Sequence, residues 1–358
     1  MRVLFTLLFV AISPFFNWAQ AQNDAADQAP VPTPGWQQCR TVTDANARLQ
    51  CFDTWAQQQV KAPSPPTLSS PTCKDNRLSE MSRFWELEAG SDCGTFRIRG
   101  YQPISLSWIG STSVNTQPTS PSPPNNATQA VPYRNNETRV GLSVRTKMAQ
   151  GLLTQAEPSR RDSLWFAYSQ QSNWQLFSGD LSRPFRTTDH EPELIYIYPF
   201  DAALPLGWRL RYGGLSLNHQ SNGQPLPFSR SWNRTILMAG AEKDQTFVVQ
   251  AKLWQRVPEA ANDDNPDIAD RIGRAEFAGY WRVNPDNTLG LTLRHSLRAD
   301  TNGSVKLEWL RTLGNSRAQD QQNGLRFHTQ LFSGYGDSLI DYNRRRTTLS
   351  VGLSLVDW

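Results

Sequence analysis

Beyond residue 21 the chain has no apolar run long enough to cross a membrane as a helix. It has no cysteine after Cys93 and no CxxC pair, which argues against a structural zinc site. Lysine and arginine are scattered rather than grouped with aromatics, and the net charge of +4 is small for 358 residues, so nucleic acid is not an implied partner. Histidine is scarce: there are four in all, so one placed for chemistry is not diluted among many candidates.

What is present begins with an export signal. Met1-Arg2 gives a positive start, Val3 to Phe16 is an apolar run broken by Ser13-Pro14, and Ala19-Gln20-Ala21 offers a small-residue cleavage site. A short membrane anchor is the competing reading, but the run is too short and has the wrong flank. The expectation is a signal peptide at 1–21 and a mature chain from near Gln22. Cys39, Cys51, Cys73 and Cys93 all precede residue 100, and an even number in an exported segment favours disulfides. Proximity suggests Cys39–Cys51 and Cys73–Cys93 among the three possible connectivities. Gln22 to Gln38 reads as a Pro/Ala-rich linker, Thr43 to Val60 as an amphipathic helix with Asp44 near its start, and Lys61 to Pro71 as irregular. Residues 22–95 thus form a small disulfide-bearing periplasmic extension.

From about Phe96 the pattern changes to period two. Val140, Leu142, Val144, Thr146 and Met148 alternate with Gly141, Ser143, Arg145 and Lys147. Phe247 to Trp254, Thr288 to Arg294 and Thr348 to Leu355 repeat that alternation. A soluble sandwich shows the same pattern in shorter strands, whereas membrane-spanning strands run about 9–11 residues. The segments give about twelve strands, near 99–110, 137–149, 162–172, 193–200, 207–221, 230–240, 245–257, 272–283, 287–299, 303–313, 325–335 and 346–357. The fold class expected is all-β, a transmembrane antiparallel β-barrel over 96–358, closing at the aromatic Trp358. With the N-terminus periplasmic, the outer connections are 111–136, 173–192, 222–229, 258–271, 300–302 and 336–345. They are mostly longer than inner ones such as 241–244 and 284–286, with 150–161 an exception. The Pro/Ser/Thr/Asn-rich stretch 111–136 reads as a mobile outer loop. Inward-pointing Arg145, Lys147, Lys252 and Arg294 imply a polar filling.

His219 and Ser221 lie two apart at the end of one strand, and Asn233 lies at the start of the next. Residues i and i+2 share a face, so base and nucleophile can meet without help from the rest of the fold. Leu215 and Leu217 share the parity of His219 and Ser221, and Leu237 and Ala239 that of Asn233. All three polar residues therefore face lipid, where unpaired polar groups cost several kcal/mol. That placement points to a hydrolase whose substrate is lipid, with Ser221 as nucleophile, His219 as base, Asn233 fixing the imidazole, and the Gly223 amide donating to the oxyanion. A passive pore and a catalytically weak or inactive barrel that organises the membrane are the competing classes. The pore gives no reason for this triplet on the lipid face.

The chain resembles the outer-membrane phospholipase A family of Gram-negative bacteria from about residue 95 onward. The resemblance rests on Asn218-His219-Gln220-Ser221-Asn222-Gly223, Ser229-Arg230-Ser231-Trp232-Asn233-Arg234, Asp263-Asp264-Asn265-Pro266-Asp267, and Ser333 to Asn343. It implies a twelve-stranded barrel, hydrolysis of phospholipid acyl esters at sn-1 and sn-2 and of lysophospholipids, and activation by calcium and homodimerisation. Carried over by motif, the metal positions are Ser229 by hydroxyl, Gln224 by carbonyl and Ser182 by carbonyl from a second copy, with the Asp264 carboxylate matching a weaker calcium position of the monomer. Trp174-Gln175-Leu176, Pro184-Phe185-Arg186 and Glu191-Pro192 anchor that alignment. Gln224 and Leu226 stand where the family commonly carries Arg and Asp, which implies a weaker or differently arranged calcium shell. The acidic loop 258–271, with Glu259, Asp263, Asp264, Asp267 and Asp270, offers hard oxygen ligands by composition alone. Gln170 shares outward parity with Leu164, Phe166 and Tyr168, which makes it a candidate dimer contact.

Overall fold

The computed structural model describes residues 36–60, 77–155, 157, 159–259, 263–314 and 324–355. The expected signal peptide, Cys73 and Trp358 lie outside the described residues. The chain divides into two compact units, one up to Leu68 and one from Ser69.

In the first unit, α1 (Trp36–Cys39) and α2 (Ala45–Val60) are joined by the Cys39–Cys51 disulfide, with Cα atoms 5.5 Å apart. The helix starts at Ala45 rather than Thr43 because Asp44 caps it, its Oδ1 accepting from the Ala47 N–H at 2.8 Å. α1 itself falls at the end of the segment read as linker. Cys93, in the second unit, is also disulfide-bonded.

The second unit is an antiparallel sheet of β1 (Ile98–Gly100), β2 (Ile104–Ser111), β3 (Asn136–Gln150), β4 (Ser163–Trp174), β5 (Thr187–Ala203), β6 (Arg209–Ser221), β7 (Ser231–Lys243), β8 (Phe247–Val257), β9 (Ala275–Asn284), β10 (Asn287–His295), β11 (Gly303–Thr312), β12 (Leu325–Gly334) and β13 (Arg346–Leu355). From β2 onward each strand pairs with its neighbour in sequence, and β13 pairs with β2 to close the wall. β1 and β2 both pair with β3 and are halves of one strand interrupted at 101–103, so the closed barrel has twelve strands, as alternation predicts. At the interruption Tyr101 turns inward and donates to Glu193 Oε2 at 3.1 Å. Leu215, Leu217, Leu237, Leu253, Leu289 and Leu349 form part of an exposed apolar belt suited to hydrocarbon.

Two expectations change. β5 runs from Thr187 to Ala203 rather than 193–200, so the connection expected at 173–192 shrinks to 175–186. Pro192 and the polar residues before it hide the strand in the sequence, yet Pro192 sits in register opposite Tyr168 and the ladder continues through His190 to Thr187. The loop expected to be mobile at 111–136 is instead tied down. Asn115 Nδ2 donates to the Ile340 carbonyl, Ser120 Oγ to the Asp264 carbonyl, and Asn125 Nδ2 to the Ser229 carbonyl. The side chains that make the loop polar are those that fasten it to its neighbours.

The lumen is filled, as the inward cations imply. A six-residue helix, α3 (Glu80–Trp85), enters the end of the barrel opposite the 111–136 loop. Ser79 caps it, accepting from the Ser82 N–H. Arg145 donates to the Phe84 carbonyl at 2.5 Å and lies 3.4 Å from the Phe84 ring centre. Trp85 meets Trp165 and Tyr212 with ring centres 5.8 and 5.7 Å away. Glu86 pairs with Lys147 at 2.6 Å and with Arg99, and Arg211 pairs with Glu88 and Glu242. Farther along, Glu276 pairs with Arg294 at 2.8 Å and lies 3.9 Å from Lys252. What remains is a polar cavity of about 300 Å³ between this plug and the far rim.

Candidate active site

Strand register arranges the site as two adjacent outward rows near the rim. The row nearer the rim is Gln170–His190–Ser221–Ser231, on β4 to β7. The row one step deeper carries Tyr168, Pro192, His219 and Asn233. Here Tyr168 pairs with Pro192 and His219 with Asn233, while the flanking pairs His190–Ser221 and Glu193–Asn218 put Pro192 opposite His219. Leu217 and Leu215 continue the same face toward the apolar belt and are about half exposed. The sequence-predicted nucleophile, base and orienting amide thus stand side by side on the outer face.

His219 and Asn233 are directly joined, with Nδ1 2.8 Å from Asn233 Oδ1. The ring therefore donates its Nδ1–H to the amide oxygen and keeps the Nε2 lone pair for a proton acceptor's work. The other end of the amide is also held: Asn233 Nδ2 donates to Glu259 Oε1 at 3.1 Å. An amide brings no charge to an imidazolium, but a carboxylate one bond behind it does. Burial pushes the Glu259 carboxyl above its ordinary value, against the pull of nearby Arg256. Glu259 reads in sequence as one member of an acidic loop. The signal for its role is parity, since it lies two residues beyond Val257, which pairs with Asn233.

The turn after Ser221 is rigid. Asn222 is buried, its Oδ1 accepts from the Arg230 N–H at 2.9 Å, and its Nδ2 donates to the Phe228 carbonyl at 2.7 Å. Gly223 follows with φ +61°, a left-handed conformation that favours glycine. The entry to β7 is fixed by Asn265, whose Oδ1 accepts from the Ser231 N–H and whose Nδ2 donates to the Ser231 carbonyl, both at 2.9 Å. Tyr342 donates to Asp267 at 2.6 Å, and Arg230 donates to the Asn125 carbonyl at 3.0 Å. Asp341 accepts from Arg186, Arg346 and Ser338. Its burial alone would raise its pKa, but the Arg186 and Arg346 guanidinium groups bring it down to about 2. The sequence motifs around residues 263–267 and 333–343 are therefore clamps that knit the rim loops around the site.

The predicted metal positions come together in part. Ser229 Oγ donates to Asp264 Oδ2 at 2.5 Å, and Asn125 Nδ2 donates to Asp264 Oδ1 at 3.0 Å. Gln224 is nearby in the same loop, its side chain donating to the Arg186 carbonyl at 3.1 Å. The Ser182 carbonyl accepts from Trp174 Nε1 at 2.7 Å. The donor set is all oxygen, which fits calcium, and it holds one carboxylate. Among the described residues no group of three or more His, Cys, Asp or Glu converges to hold a metal ion, and the Leu226 side chain offers no oxygen. Gln170, the predicted dimer contact, faces outward and accepts from Tyr168 at 3.1 Å while donating to Ser172 at 3.2 Å.

A family model described as phospholipase A1 matches residues 81–355. A putative phospholipase A1 of Neisseria meningitidis is 33% identical over 283 residues, 77% of this chain and 70% of that protein. Phospholipase A1 of Escherichia coli is 33% identical over 227 residues, 63% of this chain and 71% of that one. Among solved structures, outer membrane phospholipase A from Escherichia coli superimposes with a TM-score of 0.62 at 30% identity, covering 73% of this chain and 99% of that chain. The Salmonella typhi outer membrane phospholipase dimer with bound calcium gives 0.62 at 29% identity, covering 73% and 93%.

Proposed function

The chain belongs to the phospholipase A1 family, as a β-barrel ester hydrolase of the Gram-negative outer membrane, and from that premise we propose a Ser221–His219–Asn233 mechanism activated by calcium and by pairing of two copies. The observation that carries the triad is the His219–Asn233 bond on the lipid-directed face, with Ser221 in the adjoining row. The substrates are membrane phospholipids, cleaved at sn-1 and sn-2, and lysophospholipids. His219 Nε2 takes the Ser221 hydroxyl proton as Oγ bonds to the ester carbon. The Gly223 N–H donates to the resulting oxyanion. Collapse breaks the bond to the alcohol, which leaves with the proton from His219, and water then releases the fatty acid from Ser221. Asn233 holds the ring, and Glu259 steadies its transient charge through the amide.

Ser229, Asp264 and the Gln224 carbonyl, with the Ser182 carbonyl of a second copy, would hold calcium, whose charge would support the developing oxyanion. A single carboxylate makes a weak site alone, which is the reason for a contribution from the second copy. Gln170 is the proposed contact across that interface. The N-terminus lies on the periplasmic side, so the site opens at the cell surface. The test is hydrolysis of phospholipid by the refolded full chain, with and without calcium. Ser221→Ala lowers turnover by more than about 10³-fold. Activity that persists in this variant refutes the mechanism. Full activity in excess chelator refutes the calcium assignment.

A further inference from the structure

Ser221 has a second imidazole beside it. His190 is its cross-strand neighbour on β5, on the same outward face, where paired side chains sit about 5 Å apart at Cβ. The ring is anchored as His219 is anchored, by Nδ1, which lies 2.7 Å from the Tyr168 hydroxyl. The direction of that bond follows from the rest of the row. Gln170 donates its Nε2–H to Ser172 Oγ, so its Oε1 is turned toward Tyr168 and accepts the phenol's single proton. Tyr168 then has only lone pairs to offer, and His190 donates its Nδ1–H. The Nε2 of neutral His190 is left as an acceptor. That edge of the ring faces the turn after the nucleophile: a Cβ built on Gly223 would lie 3.7 Å from Cδ2 and 3.8 Å from Nε2. The two imidazoles are not equivalent in depth. His219 shares its row with Tyr168, one step toward the apolar belt, whereas His190 shares the rim row with Ser221. Lipid reaches the site from the belt side, and water reaches it from the rim.

Building on the Ser221 nucleophile proposed above, we propose that His190 is a further catalytic residue, the base that receives the proton of the water hydrolysing the acyl-enzyme. In that step the water oxygen bonds to the acyl carbon as one water proton passes to His190 Nε2. Collapse of the tetrahedral species breaks the Ser221 Oγ–acyl bond. The proton moves from His190 to the departing Ser221 oxygen, which restores both residues and frees the fatty acid. Tyr168 and Gln170 are positioning residues that fix the tautomer.

The experiment separates the two half-reactions in the full-length refolded protein, using a chromogenic acyl ester with rapid mixing and intact-mass analysis of the quenched enzyme. His190→Ala and His190→Gln each keep a burst of alcohol release, accumulate a covalent acyl adduct, and slow the steady state by about 10²-fold. Tyr168→Phe shows the same pattern with a smaller loss, about 10-fold. Steady-state turnover within about three-fold of the wild type in both His190 variants overturns the proposal. So does an equal slowing of burst and steady state in folded protein, because that places His190 in acylation or in structure. Loss of the adduct on Ser221→Ala is the separate control. If the adduct persists there, the nucleophile assignment fails, whatever His190 does.

Discussion

The lumen and the lipid-facing rim both carry dense polar networks in one wall, and they are finished differently. In the lumen every cationic anchor described above is answered by a carboxylate or an aromatic face: Lys147 by Glu86 and Asp92, Arg211 by Glu88 and Glu242, Arg145 by Phe84, Trp85 and Trp165. On the outer face the chain of bonds stops short. His219 and His190 are each held at Nδ1, and among the described residues the remaining ring nitrogen of each has no hydrogen-bond partner. A buried network that ends in closed pairs holds a structure, because leaving any member alone is costly. A network left open at the nitrogen that would move a proton leaves room for a substrate.

That contrast can be broken at both ends. The largest effect is expected outside: Ser221→Ala or His219→Ala removes more than about 10³-fold of turnover while the detergent-solubilised barrel unfolds as the wild type does. Loss of stability in Ser221→Ala would erase the distinction between the two networks. Next comes the inside. Glu86→Ala strips Arg99 and Lys147 of a buried partner and lowers stability by about 3–5 kcal/mol in a denaturant titration. Its turnover stays unchanged wherever the barrel is folded. A smaller loss is expected for Asn233→Ala, about 10-fold in kcat with little change in KM, in keeping with one lost hydrogen bond to the ring. The smallest and most discriminating is Glu259→Gln, with a loss of about three-fold.

Glu259 also has a pH signature. Its folded pKa is raised, so folding favours its protonated form, and that contribution is lost as pH rises through the folded pKa. At neutral pH the ionised carboxylate therefore costs stability, and Glu259→Gln should be no less stable than the wild type, though slower. The difference in stability disappears below about pH 4, where Glu259 is protonated in both states. A variant destabilised at neutral pH would instead assign Glu259 to the structural kind of network.

The two regions also differ in how far they could be read from sequence. Parity alone placed His219, Ser221 and Asn233 on the outer face, because a strand's side chains alternate and nothing else is needed. His190 escaped, since Pro192 masked the strand that carries it and the residue fell in a supposed loop. Its relation to Ser221 exists only through register. Glu259 was visible as charge but not as a partner of Asn233, for the same reason. The plug was hidden more deeply. Ser79 to Asp92 has no alternation, and its meaning depends on inward residues of β3, β6 and β9 that meet only when the sheet closes. Asn265 and Asp341 belong to conspicuous motifs, yet their work as loop clamps follows from contacts between distant rim loops.

Closure of the wall through β2 and β13 gives the plug a place in time as well as in space. The seam joins β2 and β13, so the barrel cannot close before β13 is in place, whereas α3 precedes every strand in the sequence. A segment tethered to the first strand is at hand while the wall closes, as the counter-charge for Lys147, Arg211 and Arg282. The wall can therefore close around its filling. A plug sequence supplied as a separate peptide after closure would face a finished ring, and changes in this segment should register as yield of assembled barrel before they register as anything in the mature enzyme.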